Sequence, residues 1–244
     1  MSIKPADLKT TIFAPYSYSD PTGANTGPVL RYGGPSRIAD AETKNQVCLI
    51  PDGHKCSFEL RSEHGMQSVY FRPPRATGNA VYLPFTPNCI SCATIRADDD
   101  SITHFFTAPL SGCAIFVDSI GTNSFVVHHA NYAAQSPTAA ETKADPAYQK
   151  PGAIQLMKQL HTNALKLYPG AKERASLFKS QYNEVARDFI QRQKDLKQKN
   201  PDFWGGTTVI GFRIGSGWQF WYQTYAATTA SGTKSIIDVK RFYP

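Results

Sequence analysis

A succession of short runs rich in β-forming residues, separated by turn residues, constrains this chain more than any other feature. One group of runs lies before residue 108, and a second group closes the chain after residue 206. The runs are Val47–Ile50, Ser57–Arg61, Ser68–Arg72, Ala80–Pro84, Cys92–Arg96, Ile102–Thr107, Thr207–Ile214, Trp218–Ala226 and Ser235–Phe242. They predict the strands of a largely β architecture.

Between the two groups of strands, apolar residues at helical spacing predict two helices. The first begins near Ala153 and ends at Pro169-Gly170, and the second runs from about Ala171 to Lys199. Strands, then helices, then strands indicate an α+β fold. We expect a β-sandwich or a strongly twisted mixed sheet flanked by the two helices.

Residues 1–45 are rich in Pro, Gly, Ser, Thr and Asn and have little periodicity. They predict a loop-rich N-terminal arm or delivery segment ahead of a folded domain at 46–244. The first residues lack the basic end and apolar run of a classical signal peptide. No apolar run reaches the roughly 18 residues that would indicate a membrane span.

The formal net charge is +7, from 26 basic and 19 acidic residues. Much of the excess falls in 172–199, opposite an apolar stripe, which is typical of a solvated helix face. No motif that reads nucleic acid accompanies the charge. We therefore expect no nucleic-acid partner.

A predicted β-hairpin brings together the residues of greatest chemical interest. Cys113 begins one strand, a glycine-containing loop covers residues 119–123, and the return strand ends at His128-His129. Opposing residues in a hairpin have Cβ atoms about 4.5–5.5 Å apart. Cys113 is therefore predicted to meet one of the two histidines, and only one, because adjacent strand residues point to opposite faces.

A cysteine beside a histidine can act as a nucleophile, because the histidine promotes formation of the thiolate. Five cysteines leave an odd thiol, which we assign to Cys113. Gly112 permits a tight turn, so backbone N–H groups near Gly112 and Cys113 could form an oxyanion hole. An inert buried cysteine ahead of a strand is the alternative.

The spacing of the remaining histidines, cysteines and serines indicates no second functional site. The histidines at 54, 64, 104 and 161 share no ligand spacing, and Cys89 and Cys92 lack a partner pair, so neither a metal nor a cofactor is expected. Ser111 lacks the G-x-S-x-G context of a serine nucleophile. Asp118 is interpreted as a turn residue.

The segment Leu110-Ser111-Gly112-Cys113, followed by Val127-His128, resembles the L-S-G-C and Val-His motifs of the cytotoxic necrotizing factors and the Burkholderia lethal factor. The resemblance implies that Cys113 is the nucleophile and that Leu110, Ser111 and Gly112 form the substrate and oxyanion turn. By the ungapped match it implies His128 as the catalytic partner, with His129 second.

In these toxins a backbone carbonyl orients the histidine. The resemblance implies that Thr107, by analogy with the lethal factor, or Val81, by analogy with the necrotizing factors, supplies this carbonyl.

The resemblance also implies an activity. These toxins deamidate a glutamine of a host protein, so we expect a cofactor-free, monomeric deamidase, secreted or injected to act in a target-cell cytosol. A Rho-family GTPase or a translation-initiation RNA helicase is the substrate by analogy. A transglutaminase or cysteine protease of the same fold, and a non-catalytic binding protein, are the alternatives.

Overall fold

The computed structural model describes residues 3–16, 36–39, 46–49, 55–63, 66–72, 78–83, 89–132, 140–141, 145, 147–195, 203–228 and 234–244. Within these ranges the chain is mostly β. The strands are β1 Phe13–Tyr16, β2 Ser36–Ala39, β3 Gln46–Leu49, β4 Lys55–Glu63, β5 Met66–Arg72, β6 Ala80–Leu83, β7 Cys89–Ile95, β8 His104–Thr107, β9 Ala114–Ser119, β10 Phe125–Ala130, β11 Lys172–Leu177, β12 Phe203–Ile214, β13 Gly217–Thr228 and β14 Lys234–Tyr243.

Helices are few and short. A 3₁₀ turn covers Pro5–Lys9, and the α-helices are α1 Ala153–Leu165, α2 Lys179–Tyr182 and α3 Glu184–Asp195. Helix α1 packs its apolar face, which includes Met157 and Leu160, against strands β7, β9 and β10. None of the helices formed by the described residues is long and apolar enough to cross a bilayer.

The strands form two mixed sheets. One has the order β1-β5-β4-β6-β8-β12-β13-β14, and the other has the order β11-β9-β10-β7-β3-β2. A shared core of buried side chains lies between them, including Phe105 and Phe220 from the first sheet and Ile115 and Val127 from the second. Helix α1 covers the outer face of the second sheet. The predicted α+β fold is confirmed.

The predicted second helix is wrong at its start. Lys172–Leu177 is strand β11, which pairs with β9, and helical structure begins only at Lys179. Lys172, Glu173 and Arg174 are exposed, as is typical of an edge strand protected by charge. Pairing with the open side of β9 satisfies that strand's backbone groups, and this gain overrides a weak local preference for helix.

Part of the predicted N-terminal arm belongs to the folded core. Leu8 and Phe13 are buried on the outer face of the first sheet. The Gln223 carboxamide donates to the carbonyls of Leu8 and Thr11, at 2.6 and 2.7 Å, and accepts from the Phe13 N–H at 2.8 Å. Residues 17–35 and 40–45 lie outside the described ranges, and the domain boundary at residue 45 stays a prediction.

Candidate active site

Cys113 lies at the end of a turn that leads into β9. Leu110 fixes the beginning of this turn, because its N–H donates to the Thr207 carbonyl of β12 at 2.6 Å. The Cys113 side chain is 2% exposed and belongs to the core between the sheets. The turn therefore delivers a single thiol into the space between the two sheets.

Three hydrogen-bond donors surround the Cys113 sulfur. The Asn131 carboxamide donates to Sγ at 3.1 Å, and the backbone N–H groups of Ser111 and Gly112 also point at it. Burial raises the pKa of the thiol above its ordinary value, and the three donors oppose that rise in part. At neutral pH Cys113 is therefore a thiol, and the hydrogen-bond donors that would stabilise its thiolate are already in place.

His129 is the histidine on the same side of β10 as Cys113. It pairs with Ile115, and both belong to the alternating set of residues that face the other sheet. The register Ala114↔Ala130 places Cys113 opposite Asn131, so His129 is its diagonal neighbour, a relation that brings Cα atoms to about 7–8 Å.

The His129 imidazole is neutral. Complete burial lowers its pKa to about 3, and the backbone carbonyl of Leu83 opposes that shift only in part. A neutral imidazole has one unprotonated nitrogen that can take a proton. The face of the hairpin that carries Cys113 thus combines a thiol, hydrogen-bond donors for the thiolate, and a base.

The expectation that Cys113 and His128 would be cross-strand neighbours is wrong. Phe125 pairs with Ser119, so the loop covers residues 120–124, and His128 aligns with Phe116 on the opposite face from Cys113. The predicted loop, 119–123, is also five residues long, so the predicted and observed hairpins both place His129 on the face of Cys113, and only the motif match favours His128.

Thr107 does not use its side chain to hold a histidine. Its hydroxyl accepts a hydrogen bond from the Val209 N–H at 3.1 Å and so joins β8 to β12. Parallel pairing of β6 with β8 sets Leu83 beside Thr107, and the Leu83 carbonyl also accepts from the Ala108 N–H at 2.9 Å. The carbonyl at His129 therefore comes from Leu83, two residues beyond Val81 on the same face of β6.

A second polar cluster lies on the other side of the same hairpin, beneath α1. His128 Nε2 is 3.0 Å and His161 Nε2 2.8 Å from the same oxygen, Oδ2, of Asp118, while His128 Nδ1 lies 3.0 Å from the Cys92 sulfur. All four side chains are buried. Asp118 lies within β9, so its interpretation as a turn residue is wrong, and sequence spacing gave no indication of this cluster.

The segment before α1 covers the cysteine turn. The Gln149 carboxamide donates to the Gly112 carbonyl at 3.3 Å. Four residues earlier, Asp145 forms a two-bond ion pair with Arg187 of α3, with both distances 2.7 Å. Gln149 therefore lies directly against the turn that carries Cys113.

The raised thiol pKa makes a pH prediction. Iodoacetamide reacts with the thiolate, so the alkylation rate of Cys113 should still be rising at pH values where the rate of the unfolded chain has levelled off, because the pKa of the buried thiol is raised. Asn131→Ala removes a donor to the anion and should slow the reaction further at each pH. Peptide mass spectrometry resolves the rate at Cys113.

The urea-unfolded chain is the control, and its rate should be half-maximal at a pH of about 8.5 and level off about one pH unit higher. A plateau near pH 7 in the folded protein would instead indicate a preformed thiolate, contrary to the burial argument.

Comparison with known proteins identifies no family. No protein-family model matches the chain, and no curated protein matches it. Among solved structures, the C-terminal domain of CNFy from Yersinia pseudotuberculosis is similar over 72% of this chain, with 11% sequence identity and a TM-score of 0.33. The match spans 65% of that domain's length. Similarity at this level establishes neither a shared family nor a shared activity.

Proposed function

We propose that this protein is a cysteine amidohydrolase that deamidates glutamine side chains of other proteins. Cys113 is the nucleophile and His129 is its general base. The observation that carries the proposal is the environment of the Cys113 sulfur, which has three N–H donors and a neutral histidine on the same side of the hairpin. An inert core thiol has no need of such donors.

The chemistry divides into two steps. The Cys113 proton passes to His129 as the sulfur attacks the carboxamide carbon, and the protonated histidine then gives the proton to the departing ammonia. Water hydrolyses the thioester, transferring a proton to His129 as it attacks, and the histidine returns that proton to the thiolate. The sum is glutamine plus water giving glutamate plus ammonia, and the backbone N–H groups of the turn hold the oxyanion.

A carboxamide is the substrate group because the turn already accommodates one. Gln149 presents its amide nitrogen to the Gly112 carbonyl beside the nucleophile. A substrate glutamine that displaces Gln149 could make the same contact, with its carbonyl carbon directed at Cys113. The donor to Gly112 is an NH₂ group, which an acid or ester lacks, and this favours an amide over either.

Cys92 also contacts a histidine, yet it is a weaker candidate for the nucleophile. It lies in the middle of β7, where neighbouring strands pair on both sides, with His128 of β10 and Leu49 of β3. Its backbone groups are therefore engaged in the sheet and unavailable to an oxyanion. Access to Cys92 would require lifting α1 from the sheet, because Cys92 belongs to the core between that helix and the sheet.

The substrate proteins follow from the resemblance of Leu110–Cys113 to the deamidase toxins. We propose a host protein whose glutamine serves as a switch, such as a Rho-family GTPase or a translation-initiation RNA helicase. Conversion to glutamate places one negative charge at that position. The protein would then act as an effector in the cytosol of a target cell.

The test uses eukaryotic lysate treated with the wild type and with Cys113→Ala, followed by intact and peptide mass spectrometry. The expected result is a gain of about 1 Da at particular glutamines of a few proteins, with wild type only. Cross-linked products would assign a transglutaminase and cleaved products a protease. No difference between the two samples would leave a binding protein and overturn the proposal.

A further inference from the structure

We propose that Asp118, His128 and His161 form a binding site for a divalent transition-metal ion of the zinc class. The three residues come from β9, β10 and α1, and their potential ligand atoms all lie within 4.8 Å of one another. The site lies on the face of the hairpin opposite Cys113 and is separate from the proposed deamidation chemistry.

The two imidazoles are oriented as metal ligands are. Each directs Nε2 at Asp118 Oδ2, and His128 has a partner at its other nitrogen, Cys92 at 3.0 Å, while the Glu173 carboxylate lies 3.6 Å from Nδ1 of His161, beyond hydrogen-bond distance. Histidines that bind metals usually have the second nitrogen fixed in this way, which sets the tautomer and the ring orientation. Phe116 stacks on the His161 ring at 4.0 Å and further restricts it.

The Asp118 carboxylate has a second oxygen that the side chains around it do not satisfy. Asp118 is fully buried, and Oδ1 has no hydrogen-bond partner among the described residues. A buried carboxylate oxygen without a partner is costly. A cation bound between the carboxylate and the two imidazoles would neutralise the negative charge that Oδ1 shares with Oδ2.

Two imidazole nitrogens and one carboxylate oxygen suit Zn²⁺ or a related borderline ion better than the oxygen-seeking Ca²⁺ or Mg²⁺. In a tetrahedral zinc site, ligand atoms lie about 3.3–3.5 Å apart. The present contacts of 3.0 and 2.8 Å need to widen by only about half an ångström. Cys92 lies on the far side of the His128 ring and is an outer partner, not a ligand.

Such an ion would join α1 to the sheet. His161 is the polar member of a helix face that otherwise contacts the sheet through apolar residues such as Met157 and Leu160. Because His128 precedes His129 in β10, the ion would also hold the strand that carries the proposed base. Its removal should therefore lower stability whether or not the protein is a deamidase.

The test measures zinc bound to the full chain, prepared without a polyhistidine tag, stripped with a chelator, then given Zn²⁺ and desalted. We expect about one zinc per chain, a rise in melting temperature on zinc addition, and zinc affinity at least about 100-fold weaker in His161→Gln. His104→Gln is the matched control, because His104 is also buried but bonds to the Ile3 carbonyl at 3.0 Å, away from the site.

Absence of stoichiometric zinc in the wild type, or equal zinc in wild type and His161→Gln, would overturn the proposal and leave a hydrogen-bonded core cluster. If His161→Gln does not fold, the Co²⁺-substituted wild type decides. Bands of a tetrahedral nitrogen and oxygen site support the proposal, whereas a thiolate charge-transfer band would place the ion on a cysteine and overturn it.

Discussion

Cys113→Ala is expected to lower the rate of the proposed deamidation at least about 1,000-fold, because alanine has no nucleophile with which to form the thioester. The measurement is ammonia release, or the mass shift of the substrate peptide, at fixed enzyme concentration. Cys113 is a small side chain in a packed site, so alanine should retain the fold, and circular dichroism with a thermal melt checks this.

Cys56→Ala is the matched control for Cys113→Ala. Cys56 is equally buried, at 1% exposure, but it lies in the core on the outer face of the first sheet. Its removal should leave the rate unchanged at a temperature where the protein is folded. If Cys92→Ala abolishes the reaction and Cys113→Ala does not, the nucleophile lies on the helix-covered face and the assignment of Cys113 is wrong.

The parts of the candidate site that the sequence predicts are local in the chain. Four consecutive residues, Leu110 to Cys113, form the turn, and the strand that follows is continuous, so motif and hairpin follow from neighbouring residues alone. The strand pattern is similarly local, because alternation and turn residues are read within short windows. These elements therefore agree with the structure to within a few residues.

The histidine assignment illustrates what short windows miss. Which of two adjacent strand residues faces Cys113 depends on the number of residues in the loop, and a change of one reverses the answer. The five-residue loop predicted at 119–123 favours His129, whereas the family motif favours His128. Only the observed pairing of Phe125 with Ser119 distinguishes them.

Contacts between distant segments account for the remaining differences. Strand β11 consists of residues that favour helix in isolation, and it is extended because β9 offers an open edge. Asp118 and His161 are 43 residues apart, and the helix carrying His161 meets the strand carrying Asp118 only after the sheet has formed. No spacing rule reports such a contact.

His129→Asn is expected to lower the deamidation rate by about 100- to 10,000-fold, the range that loss of a general base produces. Asparagine is polar and smaller, so it fits the same site near the Leu83 carbonyl but cannot accept the Cys113 proton. The loss should appear in kcat more than in KM, because the imidazole acts on the reacting proton. His104→Gln is the control for a buried histidine remote from Cys113.

His128→Asn should have a different signature. His128 contacts the Asp118 carboxylate at 3.0 Å, so its removal leaves that buried carboxylate with one partner fewer and should lower the free energy of unfolding by about 2 kcal/mol or more. Activity should then fall as the folded fraction falls, and it should recover on cooling. The thermal melt separates loss of fold from loss of chemistry. If His128→Asn is folded but inactive while His129→Asn is fully active, the base is His128.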